Sequence, residues 1–382
     1  MEARDTAGPR TGARPRLFRV DHVGSLLRPP RLLEARARRA AGRMTAEELR
    51  AIEDDCIRDA VARQEAAGLA VVTDGDYRRE AFHIDFLNAL DGVAWDDMRF
   101  HHAFEGGPSE GESPAVFRTT APIRHARPIT VDDWRFTQAC AAGLAKVTMP
   151  SPSFAHYRGG RAAVDTTVYP DLDAFFDDLA AAYRAEIAAL AEAGCRYVQL
   201  DEVHFTFFCD PKMVAALRAR GDDPQDLADR YARLINASVA GRPDDMTIGV
   251  HLCRGNRRSS WVAEGGYDAV ADTLFNAIDA DVFLLEYDSA RAGGFEPLRL
   301  APRGKRLVLG LVTSKTGALE DEDALVARIE EAARFADVAD LALGPQCGFA
   351  SSTGGNRIDE DAQQRKLALC ASVARRVWGR AD

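Results

Sequence analysis

His251 and Cys253 stand two residues apart in HLCRGN, at the end of the apolar run 246–250. Side chains repeat every two residues along a strand, so both would point to the same side. Two more metal-ligand types close similar runs, Glu286 in LLEYD and Cys347 in GPQCGFAS. Metal sites of this kind take three or four ligands from Cys, His and carboxylate. Two thiolates and one carboxylate would make an anionic site for a divalent cation, and sulfur with imidazole favours zinc over magnesium or calcium. The plainer alternative makes Cys253 and Cys347 small buried hydrophobes and Glu286 a salt-bridged carboxylate. An H-x-C pair alone does not separate the two; ligand types at three strand ends weigh toward the metal.

Those residues need strands to carry them. Eight short apolar runs end in polar residues or Gly: 18–25, 69–75, 144–152, 196–202, 246–253, 281–288, 306–314 and 340–347. Their aliphatic content and bounded length read as buried parallel strands. Helical patterns lie between most of them, at about 46–67, 171–193, 211–238, 322–335 and 359–378. The clearest, 171–193, spaces Leu172, Phe175, Phe176, Leu179, Tyr183, Ile187 and Leu190 at helical period and stops at Gly194. Strand and helix alternating eight times predict an α/β fold, a (β/α)8 TIM barrel over 17–382. Residues 82–142, between strands 2 and 3, are too long for a simple connection and are expected to form an inserted excursion, a hairpin over the barrel mouth. A doubly wound open sheet is the structural alternative. In a barrel, active sites lie at the C-terminal strand ends. There this chain gathers Ser25, Asp74, Asp76, Asp201, Glu202, His251, Cys253, Glu286, Asp288, Thr313, Ser314 and Cys347.

Composition narrows the partners. A hydrophobic fraction of 46% suffices for a large core, and a net charge of -10 argues against nucleic acid or an anionic membrane surface. Small molecules are the expected partners. Seven dispersed Cys, an odd number, suit a reducing cytoplasm better than a disulfide framework. Residues 1–16 lack an apolar signal core and are expected to be a disordered tail. No apolar stretch approaches the length of a membrane span. The oligomeric state is open.

With these motifs in order, the chain resembles the C-terminal catalytic barrel of cobalamin-independent methionine synthase over about residues 18–380. HLCRGN looks like the family's H-x-C element, LLEYD its Glu, GPQCGFAS its last-strand Cys loop, VQLDE its Asp-Glu strand and DHVGS its opening Gly-Ser element. The resemblance implies one Zn2+ per chain on His251, Cys253, Glu286 and Cys347, with a zinc-bound thiolate as methyl acceptor. It also implies that Ser25 holds an amino-acid carboxylate, that Asp76 and Asp201 hold its amino group, and that Glu202 belongs to the substrate-binding set. The chain departs from the pattern in three places. Thr313 in LVTSK stands where the family has the His that protonates the departing folate, Asp76 replaces a Glu, and DEVHF lacks the usual Pro. Hydroxyls are poor proton donors at neutral pH, which leaves the donor unidentified; there is also room for only one barrel.

His204, Thr313 and Ser314 are the candidates for proton handling, with an ordinary loop histidine the plainer reading of the first. Arg254, Arg257 and Arg258 could bind an anionic substrate or pair with surface acids. Trp261 and Tyr267 could stack on a planar donor or simply pack, and 348–356 has the composition of a turn or a substrate cradle. Lys315 has no assigned role. The leading expectation is a zinc-dependent thiol alkyltransferase that methylates homocysteine or a related thiol. The alternatives are a thiol transferase that opens an epoxide or other electrophile, resembling epoxyalkane:coenzyme M transferase, and a non-catalytic zinc barrel that binds a thiol metabolite.

Overall fold

The computed structural model describes residues 17–99, 104–112 and 115–382. The expected tail at 1–16 and the centre of MRFHHAF lie outside these residues. Helices α1 (Pro30–Ala40) and α2 (Ala46–Ala66) precede β1 (Val71–Val72). The excursion follows as α3 (Ile84–Asn88), β2 (Asp91–Arg99), β3 (Ala115–Arg124) and α4 (Val131–Cys140). Next come β4 (Leu144–Ala145), β5 (Val147–Pro150), α5 (Leu172–Ala193), β6 (Tyr197–Glu202), α6 (His204–Phe207), α7 (Pro211–Arg220) and α8 (Pro224–Val239). The chain ends with β7 (Thr247–Leu252), β8 (Val282–Glu286), β9 (Arg306–Val312), α9 (Glu322–Ala332), β10 (Leu341–Pro345) and α10 (Glu360–Trp378).

Strands β5 to β10 form one parallel sheet in chain order, and β1 pairs in parallel with β4 just before it. The segment after residue 17 closes the ring. Val20 bridges Leu343 in parallel, Leu26 N–H donates to Gly75 O at 3.0 Å, and the Thr73 hydroxyl donates to Gly24 O at 2.6 Å. An open doubly wound sheet would leave that segment bonded on one side only, so the barrel reading holds. The expected first strand is reduced to a bridge, and the strand expected at 144–152 divides around Lys146.

Helix ends follow local chemistry. Thr45 and Glu48 form a reciprocal capping box on α2, and Asp171 caps α5. The single helix expected at 211–238 is two, because Gly221 turns left-handed at φ 92° and Asp223 then caps a helix with Pro at its first position.

Side-chain parity decides what faces the barrel axis. Phe18, Val23, Val71, Tyr197, Val282, Leu284, Val308 and Ala342 pack into a cluster separate from the larger layer between strands and helices. Two residues per step along the same strands lead from Tyr197 to Asp201 and from Val282 to Glu286, which puts both carboxylates toward the axis at the C-terminal mouth. The excursion rises over this mouth. β2 and β3 pair antiparallel, and past β2 Glu105 N–H donates to Trp261 O at 2.6 Å while Trp261 N–H donates back to Glu105 O at 3.0 Å.

Candidate metal centre

Three strand ends deliver the four ligand types. β7 carries His251 and hands on directly to Cys253, Glu286 is the last residue of β8, and Cys347 lies two residues beyond β10. One ligand atom from each lies within 4.8 Å of all the others, and all four side chains are buried. Registry explains the convergence. Asp201 pairs with His251 across β6 and β7, and Glu286 pairs with Gly310 across β8 and β9. At Gly310 a Cβ would come within 2.7 Å of Gln346 Cα, so glycine lets the chain leaving β10 close over the site. A register shift between Gly344 and Pro345 turns that chain inward.

The set suits a cation. His251 Nδ1 lies 3.3 Å from Leu284 O, while its Nε2 is buried without a geometric hydrogen-bond partner among the described residues. The sulfurs of Cys253 and Cys347, both free thiols, stand 3.4 Å apart. Two thiolates about 2.3 Å from a tetrahedral metal would stand roughly 3.8 Å apart, close to what is found. Hydrogen bonding from Cys253 holds the Cys347 thiol well below its ordinary range, and the same contact, with burial, pushes Cys253 well above. Burial first, and then Cys347, raises the Glu286 carboxyl. These groups cannot all ionise side by side in a dry site, and a divalent cation removes that conflict.

The other expected residues divide into two groups. Ser25 lies against the Cys347 loop: Phe349 N–H donates to Ser25 O at 2.9 Å, and a Cβ on Gly348 would fall 2.0 Å from Ser25 Oγ. Asp76, held at φ 60°, is buried, with Thr148 Oγ1 at 3.2 Å and Arg79 Nη1 at 3.4 Å. Burial pushes the Asp201 carboxyl up to about 7, His251 opposing and Asp76 adding to the rise. Glu202 and His204 instead belong to a closed network below the mouth. Glu202 accepts from Ser153 Oγ at 2.6 Å and His204 N–H at 2.5 Å, and the His204 ring stacks on Tyr157 at 4.2 Å. Burial holds His204 neutral, well below its ordinary value.

Thr313 Oγ1 accepts from Lys315 N–H at 3.2 Å and lines a cavity of about 780 Å³ with Lys315 and Arg291. The Ser314 hydroxyl donates to Gln346 Oε1 at 3.0 Å and braces the Cys347 loop. Arg257 pairs with Glu112 at 2.7 Å. The Trp261 ring is covered by Arg291, at 4.8 Å, and by the close approach of Gly106, so it packs rather than presenting a free face.

Sequence reading missed a second cavity of about 590 Å³ that opens onto Cys253. The excursion walls it with Phe82, His83, Trp95 and Phe104, facing Val203 and Phe207. Aromatic density around 82–104 was the available signal, but which face it presents depends on how the excursion folds back.

A closed (β/α)8 barrel with a buried His-Cys-Glu-Cys cluster at its mouth defines a class of protein with a set of side chains there that could hold a metal ion. Residues 20–368 match the family described as "Cobalamin-independent synthase, Catalytic domain", and the chain belongs to that family. It is 43% identical to the Bacillus subtilis protein YxjH over 94% of this chain and 95% of that one. Among solved structures it resembles a putative vitamin-B12 independent methionine synthase from Listeria monocytogenes, 36% identical, TM-score 0.77, covering 97% of this chain and 100% of that one. A B12-independent methionine synthase from Shewanella sp. W3-18-1, in complex with selenomethionine, is 19% identical at TM-score 0.70 over 95% of this chain and 98% of that one, a likeness of fold. Among the described residues no helix is long and apolar enough to cross a membrane.

Proposed function

We propose that this chain is a zinc-dependent thiol methyltransferase, with one zinc held by His251, Cys253, Glu286 and Cys347 and with homocysteine or a related thiol as acceptor. The convergence of four ligand atoms within 4.8 Å at the mouth of a barrel of this family carries the reading. Zinc bound there supplies the positive charge that keeps a substrate thiol ionised near neutral pH while leaving it nucleophilic. Ser25, beside the Cys347 loop, takes the acceptor's carboxylate. Asp76 and Asp201 disfavour each other's ionisation, and an ammonium group between them relieves that cost. The excursion's aromatic wall shields the reacting atoms from water.

The reaction is an in-line displacement. The thiolate sulfur forms a bond to the methyl carbon while the bond to the donor breaks, and its electron pair departs with the donor, so no protein side chain becomes covalently modified. Thr313 offers only a hydroxyl on the donor side. A donor whose leaving group departs without a proton therefore suits this chain better than one whose leaving amine must be protonated. Free buried thiols accord with a reducing, cytoplasmic setting.

Metal analysis of the purified chain, with parallel methyl-transfer assays to homocysteine from methyltetrahydrofolate, methylcobalamin and simple methyl donors, tests the proposal. About one zinc per chain is expected, lost in Cys253→Ser and Cys347→Ser together with transfer. Metal content that is unchanged in both variants, or transfer that survives without metal, would overturn it.

A further inference from the structure

Two buried cations flank the cluster with their donors unmet. Lys315, in the loop after β9, is 8% exposed, and its Nζ has no hydrogen-bond partner among the described residues. Its backbone is fixed, because Ser259 Oγ donates to Lys315 O at 2.8 Å and Lys315 N–H donates to Thr313 Oγ1. It lines one cavity with Arg291, whose Nη2 lies 3.5 Å from Glu286 Oε2. Arg254 is fully buried, with Cζ 4.6 Å from the Tyr267 ring centre and no acidic acceptor for its guanidinium nitrogens among the described residues, while its backbone N–H donates to Glu286 Oε1 at 2.8 Å. Burying two cations this way is costly unless another charge answers them.

The charges beside the two sulfurs and Glu286 show what is missing. With a divalent ion, two thiolates and one carboxylate leave a single surplus negative charge. Arg291 lies 3.5 Å from Glu286 and 3.6 Å from Asp288, and its charge with that of Asp288 adds nothing net. Lys315 and Arg254 together exceed the surplus by one, so a further anion brings the centre to neutrality.

We propose that Lys315, backed by Arg254, is a positioning residue that makes this centre select an anionic sulfur ligand, a thiolate, over neutral ligands. The inference rests on the metal assignment above. It predicts that a substrate losing a proton on binding depends on Lys315, whereas a thioether with no proton to lose does not.

Calorimetric titration of metal-loaded wild type, Lys315→Met and Lys315→Arg with L-homocysteine and, separately, L-methionine tests this, using two buffers of different ionisation enthalpy to count protons released. All three proteins are expected to hold the same metal content. Wild type and Lys315→Arg should release about one proton per homocysteine bound. Lys315→Met should bind homocysteine at least about tenfold more weakly, with its affinity for methionine nearly unchanged. Equal homocysteine affinity in Lys315→Met, equal losses for both ligands, or loss of metal in that variant would each overturn the inference. A wild-type protein that holds no metal would overturn the proposed function along with it.

Discussion

Among the buried lysines of this barrel, Lys146 and Lys315 are handled in opposite ways. Lys146, between β4 and β5, donates to Asp21 Oδ1 at 2.6 Å, His22 O at 2.5 Å and Gln199 Oε1 at 2.8 Å, so every donor is met. The Tyr197 hydroxyl completes that network on the other Asp21 oxygen. Lys315, near the mouth, is almost as deeply buried and has no hydrogen-bond acceptor among the described residues. A fully satisfied buried charge locks the strands around it, whereas an unsatisfied one marks a place where something binds. By this criterion the barrel interior around Lys146 is scaffold and the mouth around Lys315 is prepared for a ligand.

The largest test of that difference is Lys146→Met. It strands the Asp21 carboxylate in a dry interior and should cost about 3–5 kcal/mol of stability in denaturant unfolding, with metal content per folded chain unchanged. Metal loss without destabilisation would erase the distinction. Next in size is the response to acid. Burial, and after it Lys146, lowers His22 to about 4, and burial lowers His156 to about 3, against 6.5 when unfolded. As pH falls below 6.5 the unfolded chain gains these protons and the folded chain does not. Stability should therefore fall by up to about 1.4 kcal/mol per pH unit for each histidine until the folded value is reached. Unfolding curves of metal-free protein between pH 7 and 4 check this; a flat profile would show these histidines charging freely in the fold.

The mouth was more legible in the sequence than the ring that carries it. His251, Cys253, Glu286 and Cys347 were readable because ligand types at strand ends follow from a two-residue period and a barrel's polarity. The first two strands were harder, because Val20 makes a single bridge and β1 spans two residues, so apolar runs of ordinary length overstate their ladders. The α7–α8 break was visible in principle in Gly-Asp-Asp-Pro, but apolar periodicity on both sides hid it. Glu202 looked like a mouth residue since it follows Asp201, yet the same alternation that turns Asp201 toward the axis turns Glu202 away, into the Ser153–His204 network. Lys315 attracted no role because its importance lies in what it fails to contact, and no sequence pattern encodes an absent partner.

Gly348→Ala probes how tightly the mouth is built. The new Cβ would fall 2.0 Å from Ser25 Oγ and 3.2 Å from Ser25 Cβ, so the Ser25 hydroxyl must rotate away or the Cys347 loop must lift. The expected cost is about 1–3 kcal/mol of stability, with weaker metal retention in competition with a chelator. Unchanged retention would mean that the Ser25 hydroxyl gives way, or that the loop moves without carrying Cys347 with it.

The smallest expected effect separates the two lysines most sharply. Lys315→Met removes a buried ammonium that no hydrogen-bond acceptor among the described residues answers, so the metal-free protein is expected to lose no hydrogen bond and to shed a desolvation cost, while a methionine of similar length fills the space. Its unfolding midpoint in chelator should stay within about 1 kcal/mol of wild type or rise, in contrast to the loss at Lys146. A loss as large as that of Lys146→Met would mean that Lys315 supports the fold as Lys146 does, and the mouth would then have to be understood as scaffold too.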